Sequence, residues 1–261
     1  MDIVEYNRGA WKKESENGNK WTIPVSPETI SEARSGNWDV LLTPTRFVPH
    51  QWFGNIGGKK ILCLASGGGQ QGPILAAAGA VVTVFDNCPE QLDKDRFVSQ
   101  REKLSLSLVT GDMRDLSCFG NETFDIIFHP VSNCFVDSVG SVWKECNRVL
   151  KNAGVLLVGF CNPITYIFDL ERVDKKNEME VRYKIPYSDL EQLPSDQLRD
   201  LIDRNEPLEF GHSIEDQLGG QIESGFLIAG LYEDIAGGDF LDPYIPTFMA
   251  TRAIKMKADN I

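Results

Sequence analysis

The chain has 261 residues, 42% hydrophobic and 25% charged, the make-up of a globular protein with a large core, which sets aside disordered and fibrous classes. Its 38 acidic and 26 basic residues give a net charge of -12; residues 162–243 hold 19 of the acids and 7 of the bases, so the remainder balances. A surface of this sign repels phosphate backbones, so no nucleic-acid partner is expected.

No apolar stretch approaches 18 uncharged residues, and no basic head followed by an apolar run opens the chain, so neither a membrane span nor a secretory signal is expected. Cys63, Cys88, Cys118, Cys134, Cys146 and Cys161 form no CxxC pair. Reduced thiols, a cytoplasmic location and no metal site are the expectation.

Residues 1–58 hold four tryptophans among prolines with little periodicity. They are expected to form an extension that packs its aromatics over the main domain, with one short helix near Pro27 to Ser35. From residue 59 the punctuation becomes strand, turn, helix. Apolar runs at residues 61–65, 81–85, 106–109, 124–128 and 155–160 predict buried strands, and helical stretches fall between them. Continuous apolar strands alternating with helices predict an α/β, Rossmann-like doubly wound sheet over 59–161, mostly parallel, with ligands at the carboxyl ends of its strands.

The acidic stretch 162–210 reads as an insertion with a strand over 181–186 and a helix over 188–205. Residues 211–261 read as a helix near 213–224 and two antiparallel strands, which would complete seven strands. In His212-Ser213-Ile214-Glu215-Asp216, the Ser213/Asp216 spacing reads as a capping box, with a His212–Asp216 acid/base pair as the alternative.

Gly67, Gly69 and Gly72 satisfy GxGxxG between a strand and a helix, the context of a nucleotide-binding turn with backbone N–H groups at a helix start. Asp86, 19 residues beyond Gly67, ends the second strand where an acid can accept from ribose hydroxyls. A nicotinamide dehydrogenase and an adenosylmethionine methyltransferase are equally served to this point.

Gly111-Asp112-Met113 after the third strand, Phe124-Asp125-Ile126-Ile127, and Arg148 to Val158 entering the fifth, together with Leu64 to Gly69 and Asp86, resemble a class I S-adenosylmethionine-dependent methyltransferase over residues 59–161. The resemblance implies S-adenosyl-L-methionine as cofactor and a small-molecule methyl acceptor. Ala65, Ser66, Gly67 and Gly69 would lie against the methionine portion, Asp86 with Asn87 at the ribose, and Asp112 with Met113 at the adenine. The loop His129 to Phe135 would face the methyl group and the acceptor. His129 is the candidate general base and a candidate cofactor-wall residue, and Asn133 the candidate that orients the acceptor. Tyr166, Tyr183 and Tyr187 would line an acceptor pocket under the insertion.

Cys63 and Ala65 depart from the family pattern, standing where an acid and the first glycine would be. Two alternatives stay open: an NAD-dependent oxidoreductase, and a protein that binds adenosylmethionine without transferring its methyl group.

Overall fold

Strand β1 (Lys60–Leu64) is buried at every position after the first, and its side chains divide by the two-residue period of extended backbone. Ile61 and Cys63 join a core with Val82, Val84, Ile126 and Phe128, whereas Leu62 and Leu64 join a second with Phe85, Ile127 and Leu156. Helices cover both faces, so strands must be apolar on both sides, the pattern of a parallel sheet.

The computed structural model describes residues 1–169, 172–173 and 178–257. In chain order its helices are α1 (Ile3–Glu16), α2 (Pro27–Arg34), α3 (His50–Phe53), α4 (Gln71–Ala77), α5 (Pro89–Glu102), α6 (Gly140–Val149), α7 (Asp189–Gln192), α8 (Ser195–Asp203) and α9 (Gly220–Glu223). After β1 come β2 (Val81–Asp86), β3 (Leu106–Thr110), β4 (Phe124–His129), β5 (Leu150–Cys161), β6 (Tyr187–Ser188), β7 (Phe210–Gly211), β8 (Phe226–Asp234) and β9 (Phe248–Lys255).

Seven strands form one sheet in the order β3-β2-β1-β4-β5-β9-β8. The first five pair in parallel, while β9 runs antiparallel to both β5 and β8. Helices α2, α4 and α5 supply Ile30, Leu75 and Leu92 to one core. Helix α6 supplies Val142, Trp143, Cys146 and Val149 to the other. The order of strands reverses beside β1, so the crevice beyond its carboxyl end is the expected ligand position. The α/β doubly wound sheet with its antiparallel strand pair is as the sequence predicted.

Several local expectations are corrected. Helix α1 lies in the stretch that lacks hydrophobic periodicity, because its buried residues are Asn7, Ala10 and Ser15 rather than an apolar stripe. Asp2 caps it by accepting the N–H groups of Val4 and Glu5. The strand expected over 181–186 reduces to one bridge between Phe168 and Val181. The helix expected over 188–205 is divided into α7 and α8 around Leu193 and Pro194, since proline suits the start of a helix and not its interior. The helix expected near 213–224 opens with a π-helical turn over Glu215–Gly219 before α9. Residues 170–171 and 174–177 of the acidic insertion, and 258–261 of the C-terminal segment, lie outside the described residues.

Candidate functional site

The glycine turn after β1 is held by two carboxylates. Gly67 donates its N–H to Asp86 Oδ2 at 2.9 Å, and Cys88 donates to Asp86 Oδ1 at 2.9 Å. Gly68 and Gly69 both donate to Asp95 Oδ2, at 3.0 and 3.1 Å. The N–H groups that sequence reasoning assigned to a ligand are thus directed into the protein, and Asp95, in the middle of α5, is the residue that reasoning missed. Burial pushes the carboxyls of Asp86 and Asp95 above the ordinary range, Asp95 up to about 8.

Close packing fixes the turn's shape. A Cβ on Gly67 would stand 2.7 Å from Gln91 Cβ and 3.1 Å from Asp86 Oδ2. Gly68, at a φ of 119°, carries the Trp21 backbone: a Cβ there would stand 2.5 Å from Trp21 O. Ala65 itself sits in the left-handed region at a φ of 46°, where its Cβ costs roughly 1–2 kcal/mol that a glycine would not.

Loops from separate strands then meet. Ala65, Ser66 and Gly67 after β1, Asp86 and Asn87 at the end of β2, Asp112 and Met113 after β3, and Ser132 after β4 line one cavity of about 350 Å³. The N-terminal segment closes it with Val4, Asn7, Trp11 and Trp21. Asn7 is the clamp, donating to Phe135 O and Leu208 O and accepting from Leu208 N. The residues fit an adenosyl group. Asp86 offers acceptors for a diol, Phe85 and Met113 are apolar wall, and the buried hydroxyl of Ser66 has no protein partner. Gly69 is not on the wall.

Asp112 is on the wall but is not free. Arg114 donates from its backbone N–H to Asp112 Oδ1 at 2.9 Å and from Nη2 to Oδ2 at 2.9 Å, and reaches Asp137 with Nη1 at 2.6 Å.

The structure corrects the placement of His129 and Asn133. Both are fully buried, and neither lines the cavity. His129 Nδ1 lies 2.9 Å from Leu64 O, and Nε2 lies 2.5 Å from the Asn133 side-chain amide, which in turn lies 3.1 Å from the Gln217 amide. Burial lowers the imidazole pKa. Asn133 faces Nε2 with Oδ1 and donates from Nδ2 to Gln217 Oε1, so its amide is held between the two residues. Both ring nitrogens of His129 thus face protein partners beneath the loop after β4.

The His212 alternative resolves toward capping. Ser213 and Asp216 bond reciprocally, with Ser213 N donating to Asp216 Oδ2 and Asp216 N to Ser213 Oγ, both at 3.0 Å. His212 Nε2 instead contacts Asn133 O and Val136 O.

A second cavity of about 710 Å³ adjoins the first, and Trp11, Trp21, Phe135, Tyr166 and Glu209 line both. Tyr183 and Tyr187 are on its wall, and Tyr166 stacks on Tyr187 at 5.4 Å. Tyr166 donates its hydroxyl to Glu209 Oε2 at 2.7 Å. Burial, reinforced by nearby Asp189, pushes Glu209 up to about 7 despite that bond. Glu209 was hidden to sequence reading among many solvated acids.

A family model described as a methyltransferase domain matches residues 62–158. The Bacillus subtilis protein YbaJ, described as an uncharacterized methyltransferase, is 52% identical over 97% of this chain and 99% of that protein. Among solved structures, an S-adenosylmethionine-dependent methyltransferase from Mesorhizobium loti superposes with a TM-score of 0.61 at 16% identity, over 79% of this chain and 95% of that one. One from Methanosarcina mazei gives 0.54 at 16% identity, over 79% and 96%. The two structures share the fold; the Bacillus relative, alike along nearly its whole length, shares more than that. The chain therefore belongs to the class I S-adenosylmethionine-dependent methyltransferases, enzymes whose cofactor is S-adenosylmethionine.

Proposed function

We propose that this methyltransferase acts on a small or medium-sized molecule by direct in-line transfer, with the acceptor bound beside the cofactor cavity. The observation that carries the reading is the convergence of Asp86 and Asp112, from different strand ends, on one cavity that opens onto a second. Ala65, Ser66, Gly67, Asp86, Asn87, Asp112 and Met113 are the proposed cofactor contacts. Gly69 is proposed to act through Asp95, which holds the turn. His129 and Asn133 are proposed as positioning residues that shape the loop Pro130 to Val136.

The cofactor supplies a methyl carbon already activated on a sulfonium. The chain has to align that carbon with a nucleophile and exclude water, and positioning of this kind is worth effective molarities of roughly 10⁵ to 10⁸ M. Trp11, Trp21 and Phe135 serve the exclusion by walling both cavities.

The geometry of the turn weighs against a dinucleotide. A pyrophosphate is bound by backbone N–H groups, but those of Gly67, Gly68 and Gly69 already serve Asp86 and Asp95. A cytoplasmic site of action belongs to the proposal, since six free cysteines suit a reducing compartment. No helix among the described residues is long and apolar enough to cross a membrane.

Calorimetric titration with S-adenosylhomocysteine tests the proposal. Binding at micromolar concentrations that weakens sharply in Asp86→Ala supports it, and unchanged binding by that variant would remove Asp86 from the site.

A further inference from the structure

We propose that the methyl acceptor is a primary or secondary amine, seated as its ammonium ion in the second cavity, and that Glu209 anchors it and takes its proton. This rests on the methyl-transfer reading above and adds to it a substrate class and a base.

Glu209 stands at the junction. Among the described residues it is the one carboxylate on the walls of both cavities, since Asp86 and Asp112 face only the first. Its Oε2 is held by the Tyr166 hydroxyl at 2.7 Å, while Oε1 makes no hydrogen bond among the described residues. On the same side, the hydroxyl of Thr165 lines the first cavity, buried and without a protein partner. His129 has both ring nitrogens engaged and lies on neither wall.

The second cavity selects charge. Of its acids, Asp169 pairs with Arg182 and Glu206 with Arg204. Glu14, Asp189, Asp200 and Glu209 form no ion pair among the described residues, and Arg204 is the one basic side chain on the described wall. This leaves an excess of acidic side chains in a space also walled by Trp11, Phe135, Tyr166 and Tyr187. Such a space attracts a cation both by charge and by the aromatic quadrupole, and repels a carboxylate or phosphate.

The chemistry then balances. The ammonium ion gives one proton to the free oxygen of Glu209, and the neutral nitrogen uses its lone pair to bond the methyl carbon. The pair of the breaking C–S bond stays on sulfur, which becomes a neutral thioether, and the positive charge remains on the methylated nitrogen. Burial and Asp189 hold Glu209 near neutrality, and Tyr166 opposes them. The other titratable groups around this pair include Tyr187 and Tyr6 at Asp189, Tyr183 at Tyr187, and Cys134 and Cys161 beside Tyr166.

The test uses the full chain loaded with S-adenosylhomocysteine, titrated with benzylammonium and cyclohexylammonium ions and with benzyl alcohol and cyclohexanol, neutral molecules of like shape. The ammonium ions should bind about tenfold more tightly. That preference should grow as pH rises through about 7, where Glu209 ionises, and should vanish in Glu209→Gln, with amines and alcohols compared on the same preparation. Equal binding of amines and alcohols by wild type, a preference that ignores pH, or its survival in Glu209→Gln would each overturn the amine proposal. The pH series needs no variant, so it decides the matter even where Glu209→Gln folds poorly. Loss of S-adenosylhomocysteine binding by wild type would instead strike the cofactor reading.

Discussion

Oδ2 of Asp95 accepts the backbone N–H of Gly68 at 3.0 Å, across 27 positions of chain, while its Oδ1 is buried with no partner. The carboxyl ionises near 8 in the folded protein and near about 4 in an unfolded chain. Between those values the folded state holds a proton that the unfolded state lacks. Its contribution is therefore most favourable below about pH 4 and is lost as pH rises through 8. Asp95→Asn keeps an oxygen for the glycine N–H groups and removes the ionisation. Urea unfolding should show the variant gaining on wild type with pH, by more than about 1 kcal/mol between pH 5 and 8. Two proteins that track each other at both pH values would contradict this.

Gly67→Ala should separate folding from ligand binding. The new Cβ meets Gln91 and the Asp86 carboxylate, so a side chain at the cavity wall has to shift. A stability loss of about 1–3 kcal/mol is expected from overpacking, with S-adenosylhomocysteine affinity reduced at least about tenfold, the scale of one lost charged hydrogen bond. Thermal melting and calorimetry on the same preparation would read both quantities.

The two strand-end acids should not be equivalent. Asp112 is occupied by Arg114 along both oxygens, which leaves it little capacity for a ligand. Asp86 is committed to backbone N–H groups and to no cationic side chain among the described residues. Asp86→Ala should cost about ten- to a hundredfold in S-adenosylhomocysteine affinity, and Asp112→Ala less than about fivefold, on the scale of hydrogen bonds to charged groups. Equal losses would show that Arg114 does not restrain Asp112.

His129→Ala should act on stability. It empties a buried site and strands Leu64 O and the Asn133 amide, a combination worth about 2–5 kcal/mol. Affinity for S-adenosylhomocysteine in the folded variant should stay within about threefold of wild type, as expected for a group off the wall. A stable variant that no longer bound would restore His129 to the cofactor site.

The central sheet was legible because buried strands must be apolar on both faces, and the runs at residues 61–65 and 124–128 carry little else. Of the cavity acids, Asp86 was legible from its strand end and its spacing from Gly67, and Asp112 through the family resemblance. What escaped was polarity put to structural use. Asp95 is indistinguishable in sequence from the solvated acids of α5, and Glu209 from those of its stretch; their burial arises from α5 packing on the glycine turn and from Tyr166 and Asp189 closing on residue 209. Helix α1 escaped for a related reason, since Asn7, Ala10 and Ser15 give no hydrophobic signal.

Asn7 and Leu208 are joined across 201 positions, and the Tyr6 hydroxyl reaches Glu206 O nearby. At about 5–20 residues per second of synthesis, the first helix waits roughly 10 to 40 s on the ribosome for the segment that clamps it. A nascent chain halted before residue 206 has all five of its parallel strands but no finished wall, so ligand capture is deferred until translation is nearly over. The buried residues of that helix are small or polar, Asn7, Ala10 and Ser15, and until the clamp closes, Val4 and Trp11 lack the finished cavity that they wall.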